Sequence, residues 1–168
     1  LGNFLFLFEK ELVAEKIFST TSAQSFMHLC FREASKLEPE NFDFHLRYAQ
    51  SFFDFPDSNK SNALKAWKKV EKKFTSRTQL EKDYFRLCQA KVLLELSRSK
   101  DASLLLETVS SKSLKKAKDS LLLQLNDNKQ KEDPQSEFKE KNQSSFNWNH
   151  KRYIPTDPHL KRLRKLTG

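Results

Sequence analysis

Glycine is nearly missing from this chain, with two in 168 residues. Sandwiches, barrels and nucleotide-binding α/β folds need glycine at tight turns and phosphate loops. Those classes are therefore excluded. Cysteine is equally scarce. Cys30 and Cys88 stand alone, each in an apolar stretch, so they form neither a disulfide framework nor a zinc ligand set. A reducing compartment is expected, and with it the cytoplasm. No run approaches the ~20 apolar residues of a membrane span. The apolar opening Phe4-Leu5-Phe6-Leu7-Phe8 is halted at once by Glu9, Lys10 and Glu11. It has no basic stretch before it and no clear cleavage site after it. The chain starts at Leu1, as a processed or trimmed form would.

Catalytic signatures are missing too. There is no H-E-x-x-H, no C-x-x-C, no phosphate loop and no G-x-S-x-G. His28 and Cys30 are two apart on a predicted helix and point to different faces, so they cannot share a metal. His45 reads as a packing residue, and His150 and His159 lie in the C-terminal tail. The pairs Glu9/Glu11 and Asp54/Asp57 are neighbours in sequence only. No enzyme activity, cofactor or metal is expected.

What remains is a mixture of 32% charged and 37% hydrophobic residues, with 15 phenylalanines, as amphipathic helices with bulky ridges require. Helical spacing of apolar residues predicts helices over about Asn3–Phe18, Ala23–Leu37, Phe42–Phe53, Ser61–Phe74, Gln79–Leu96, Asp101–Val109 and Leu114–Leu125. Breaks fall where the chemistry favours them. Ser19 to Ser22 offer capping hydroxyls, Pro39 ends the second helix, Pro56-Asp57-Ser58-Asn59 is a turn cluster, and Thr75 to Thr78 make another break. Asp101 is the expected cap of the sixth helix. Lys65, Lys68, Lys69, Lys72 and Lys73 collect on the polar face of the fourth helix, where a solvated surface is expected.

Beyond Asn126 the composition turns to Asn, Asp, Gln, Lys, Glu and Ser, the signature of a disordered linker. Phe146, Trp148, Tyr153 and Ile154 follow, and then a short basic amphipathic end. The sequence thus divides into a helical domain over 1–125 and a linker with a basic, aromatic-containing tail over 126–168. The net charge of +9 is uneven. Residues 1–110 hold 17 basic and 15 acidic side chains, a net of +2, while 111–168 hold 14 and 7, a net of +7. Such asymmetry marks either a solubilising tail or a contact for a polyanion.

The breaks pair the helices into hairpins. The segment from Pro39 to Phe52 resembles the inter-repeat turn and first helix of a tetratricopeptide (TPR) motif. His45 stands at the large position, Tyr48-Ala49 replace the usual Leu-Gly, and Phe52 takes the aromatic place. Ala63, Trp67 and Val70 match the second helix, across a turn longer than the family's. A preceding unit carries Ala14, Phe18, Met27, Phe31, Ala34, Leu37 and Pro39. A weaker third carries Ala90, Leu93, Ala102, Leu106 and Val109. The resemblance covers roughly residues 4–110. It implies an all-α, antiparallel helix-hairpin repeat array of about three units plus a seventh helix, followed by an extended basic C-terminal tail. A generic helical bundle or another α–α repeat class shares the same periodicity.

In that family the first helices of successive repeats line a concave groove for an extended peptide or a partner helix. The resemblance places Lys16, Asp43, Arg47, Gln50, Phe53, Tyr84 and Lys91 there, beside Leu12, Leu46, Leu87 and Leu94. Leu46 and Leu87 read equally well as core. The Lys/Asn/Arg clamp with which some members grip a terminal carboxylate has no match, because the corresponding positions hold Leu12, Lys16, Asp43, Arg47 and Cys88. The expected role is a protein-interaction scaffold or adaptor. One alternative is a nucleic-acid-associated repeat protein. It would use Lys112, Lys115, Lys116, Lys118, Lys151, Arg152, Lys161, Arg162, Arg164 and Lys165 on phosphates, with Trp148 and Tyr153 stacking. Another is a secretion-type chaperone, a class similar in size and repeat number but without so basic a tail.

Overall fold

The computed structural model describes residues 1–55 and 58–131, with side chains to residue 127. The chain divides into two units, Leu1–Glu137 and Phe138–Gly168. Only the first has described residues. The tail calls on Trp148, Tyr153, Lys161, Arg162, Arg164 and Lys165 lie outside the described residues, as do Pro56 and Asp57.

The described chain is all helix, with eight α-helices, one 3₁₀ turn and no strand among the described residues. They are α1 (Gly2–Leu7), α2 (Glu9–Ala14), α3 (Thr20–Leu37), α4 (Phe42–Asp54), α5 (Lys60–Lys73), α6 (Gln79–Glu95), α7 (Ser99–Glu107) and α8 (Lys115–Lys131). From α3 onward each helix packs on the next in chain order, and α8 also reaches α6.

The starts of α3 to α6 each have a side-chain cap. The Ser19 hydroxyl accepts from the Ser22 N–H at 3.1 Å, and the Asn59 side chain accepts from the Asn62 N–H at 3.0 Å. Asn41 accepts from the Asp43 and Phe44 N–H groups. Thr78 and Glu81 cap reciprocally: the Glu81 N–H donates to Thr78 Oγ1 at 3.3 Å, and the Thr78 N–H donates to Glu81 Oε2 at 3.0 Å.

Six boundaries differ from the periodicity. α2 stops at Ala14, four residues short of Phe18, and α3 starts at Thr20 on its Ser19 cap rather than at Ala23. The first predicted helix is bent into α1 and α2 at Phe8 (φ −112°, ψ 19°), although Leu12 N–H still donates to Phe8 O across the bend. Asp101 is not the cap of α7. Arg98 holds that position, and its Nε donates to Asp101 Oδ2 at 2.7 Å within the first turn. α7 stops at Glu107 rather than Val109. α8 continues to Lys131, past both Leu125 and the composition change at Asn126, because Asn, Asp, Gln and Lys only lower helix propensity without forbidding it.

The core follows the apolar stripes. Ala49, Trp67, Leu87, Ala90, Ala102, Leu106 and Leu121 are fully buried, and Ala63 and Phe52 nearly so. Ala34, also expected at a close helix approach, is half-buried. The small residues let helix axes approach while rings fill the spaces between. Trp67 of α5 lies under Phe53 of α4 (centroids 5.8 Å apart, 29° between planes) and against the edge of Tyr84 of α6 (5.8 Å, 83°). At the N-terminal end Leu5, Met27 and Phe31 form a cluster of buried residues with Phe6, Leu12, Phe18 and Tyr48 packed around it. A Cβ on Gly2 would lie 2.9 Å from the Phe31 ring, so a larger residue there would make that ring shift.

Candidate functional site

The positions expected in the groove fall on two helices. On α4, Asp43, Arg47 and Gln50 follow i, i+4, i+7 spacing and share a face, with Phe53 at its edge. On α6, Tyr84 and Lys91 are two turns apart on one face. Packing brings the two sets together. Gln50 Nε2 donates to Tyr84 Oη at 3.4 Å, and an Arg47 guanidinium N–H donates to Gln50 Oε1 at 3.5 Å. Lys91 Nζ lies 4.4 Å from the Phe53 ring centroid, within cation–π range. The same face extends to α1, where the Arg47 guanidinium stands 5.7 Å over the Phe6 ring.

Five of the seven expected residues thus form a patch of two contact sets, Arg47–Gln50–Tyr84 and Phe53–Lys91, joined through the buried Trp67, which touches both Phe53 and Tyr84. Arg47 and Gln50 are largely buried in it, and Phe53, Tyr84 and Lys91 are half-buried. Asp43 is exposed at the start of α4, on the same face. Lys16 stands apart: it follows α2, is exposed, and has φ 57°. Leu46, Leu87 and Leu94 are buried at 1%, 0% and 7% exposure and belong to the core rather than the groove. α4 is packed between α3 and α5, and α6 against α5, α7 and α8, which covers these side chains.

Electrostatics follow from burial. Desolvation lowers the Lys91 pKa from its ordinary value, opposed by the carboxylates of Glu95 and Asp54. Cys88, beneath Tyr84 and Lys91, is fully buried, and burial pushes its thiol up to about 12, so it stays protonated and unreactive. Cys30 and Cys88 are both free thiols. Among the described residues no group of His, Cys, Asp and Glu could hold a metal ion, and no helix is long and apolar enough to cross a membrane.

Two polar networks escaped the sequence reading. Asp83 of α6 is fully buried, and its Oδ2 accepts from the N–H and hydroxyl of Ser111 (2.8 and 2.6 Å) and of Ser110 (3.0 and 3.4 Å). Gln79 Nε2 donates to Oδ1 at 2.7 Å. Burial pushes the Asp83 carboxyl up, and these hydrogen bonds outweigh it, leaving the pKa lowered. In the second network Glu71 of α5 faces α6, accepting from Arg86 Nε at 3.0 Å and Gln89 Nε2 at 2.6 Å. The Ser110-Ser111 pair after a helix, opposite an acid on an apolar stripe, is the signal that could have located the first.

Comparison with protein-family models, with curated proteins and with solved structures finds no match.

Proposed function

We propose that the chain is a non-catalytic interaction scaffold of TPR-like type. Its α1, α4 and α6 face binds an extended peptide or a partner helix. The observation that carries this reading is the gathering of Arg47, Gln50, Phe53, Tyr84 and Lys91, residues of two helices distant in sequence, into one patch joined through Trp67. Half-buried rings next to cations give a ligand both apolar contact and charge-assisted hydrogen bonds, the mixture peptide grooves use. On this reading α3–α7 are successive hairpins, with α4 and α6 as equivalent first helices, and a reducing, cytoplasmic setting suits the two free thiols. The basic segment from Lys112 to Gly168 adds an electrostatic contact beside the groove's own specificity.

The test selects peptides from a displayed library against the full chain and compares binding to a Tyr84→Phe, Lys91→Gln double variant. These changes remove a hydroxyl and a charge but keep the ring and the stem. Binding should weaken about tenfold, equivalent to ~1.4 kcal/mol, with the melting temperature nearly unchanged. Equal affinity for both proteins would remove this face from the binding site.

A further inference from the structure

α5 carries its charge in an unusual distribution. Its inward stripe is Ala63, Leu64, Ala66, Trp67 and Val70, all buried. Its outward stripe is Lys65, Lys68, Lys69 and Lys72, all exposed, at i, i+3, i+4 and i+7. The helix has one acid, Glu71, which turns inward to Arg86 and Gln89. The other lysines of α5 have partners: Lys60 pairs with Glu95 at 3.1 Å and Lys73 with Glu40 at 2.9 Å. Among the described residues the four lysines of the outward stripe form no salt bridge.

A face needed only for solubility would interleave Glu with Lys, because like charges at i, i+3 and i, i+4 repel and opposite charges attract. Here every neighbour along the stripe is another ammonium. The helix C-terminus accounts for Lys72, which sits in the last turn, but not for Lys65, Lys68 or Lys69.

We propose that the outward face of α5 is a contact surface for the phosphate backbone of a nucleic acid. Cations four residues apart on a helix rise about 6 Å. That is close to the separation of successive phosphates along one strand, so Lys65 with Lys69, and Lys68 with Lys72, can each meet a pair of neighbouring phosphates. A flat anionic membrane fits less well. The exposed large hydrophobic side chains of the described chain include none on α5, so nothing on this face would enter the acyl region. The stripe offers no planar amide or guanidinium group to read base edges, so the contact is independent of sequence. Glu40, 86% exposed and held at Lys73, closes the row at its C-terminal end. This surface belongs to another helix than the peptide face of α1, α4 and α6, so the two readings stand or fall separately.

The experiment measures binding of the full chain to short labelled RNA and DNA duplexes of mixed sequence, and to phosphatidylserine vesicles, over a series of salt concentrations. A variant with Lys65, Lys68, Lys69 and Lys72 all changed to Gln is compared with one carrying Arg at all four, and with one carrying Gln at Lys161, Arg162, Arg164 and Lys165. The α5 Gln variant should bind roughly tenfold to a hundredfold more weakly at low salt. The slope of log affinity against log salt should fall by roughly 3 to 4, for four lost phosphate contacts. The Arg variant should keep both, and circular dichroism should show all variants equally helical. Three results would overturn the proposal. They are no duplex binding by the unmodified chain at low salt, an unchanged slope in the α5 Gln variant with all loss confined to the tail variant, or loss of binding only to phosphatidylserine vesicles.

Discussion

At the scale of single residues, stability depends on buried polar groups as well as rings. Asp83 connects α6 to the chain after α7 through four hydrogen bonds from Ser110 and Ser111. Replacing it with Ala leaves the Ser110 and Ser111 backbone donors without their charged acceptor and should cost about 1–3 kcal/mol in urea unfolding. The sign of its pH dependence follows from a folded pKa below the ordinary value. The stabilisation is complete above the ordinary carboxylate range and is lost as pH falls through the lowered folded value. Asp83→Asn should therefore flatten the acid limb of the stability curve; an unchanged limb would place the acid sensitivity elsewhere. His28 acts at higher pH. The Ser51 hydroxyl donates to Tyr48 O at 2.7 Å, so it accepts from His28 Nδ1 at 2.8 Å, which fixes the Nδ1–H tautomer. The ring packs edge-on to Phe52 at 4.5 Å. Burial first, and then the Arg32 charge, lower its pKa from the ordinary 6.5. A neutral folded histidine stabilises fully above that value and less as pH falls below it, because the unfolded chain takes the proton first. His45 shifts in the same direction, by burial, with Lys69 and Lys73 adding to it and the Pro39 carbonyl opposing. Melting temperature should decline as pH drops below about 6.5, and His28→Gln should remove part of that decline. A decline of the same size in the variant would leave His45 and the carboxylates as its source.

Elements were legible to the extent that their signals are local. The start of α3 lies three residues before the expected Ala23, but apolar periodicity and capping residues placed its end at the observed Leu37, and α4, α5 and α6 within one residue of their observed bounds. Thr78 shows why. The capping box it forms with Glu81 is written in four consecutive residues and needs no tertiary partner. Thr78→Ala should lower stability by about 1 kcal/mol, measured as a shift in the urea midpoint; no shift would mean the box adds nothing beyond packing. The bend at Phe8 was illegible, since no proline, glycine or capping side chain marks it and the apolar spacing runs through it. The inward turn of Glu71 and the burial of Asp83 were illegible for a related reason. Both depend on partners 15 to 28 residues away, which periodicity along one helix cannot reveal. At the candidate site, spacing showed which residues share a helix face, and Arg47 with Gln50 was readable. The meeting of Gln50 with Tyr84 and of Phe53 with Lys91 required α5 to pack against both α4 and α6, which no single helix records.

At the scale of the described chain, the helices differ sharply in how much they bury. α4 and α6 are each covered on two sides, with His45, Leu46, Ala49, Phe52, Phe85, Leu87, Cys88 and Ala90 inside. α1 and α2 are six residues each, and α2 buries none of its side chains fully. Helices so short do not hold together without packing. Leu1, Phe4, Leu7 and Phe8 remain exposed around α1, so much of its apolar surface contributes nothing to stability in the isolated chain. Local opening should therefore be graded along the chain rather than uniform. Amide hydrogen exchange should be fastest in α1 and α2, through openings far smaller than global unfolding, and slowest in α4 to α6. Trp67 provides the perturbation that checks this. It is fully buried between α4 and α6, so Trp67→Ala should cost about 3–5 kcal/mol by emptying a large site. In a chain whose helices touch mainly their neighbours, that loss stays near the cavity. Exchange in α4, α5 and α6 should accelerate by the full amount, while α1 and α2, already opening independently, should change little. Uniform acceleration from Gly2 to Leu125 would instead show one cooperative unit and rule out graded, repeat-like stability. A change near zero in α4 to α6 would mean that the Phe53–Trp67–Tyr84 stack does not join those helices.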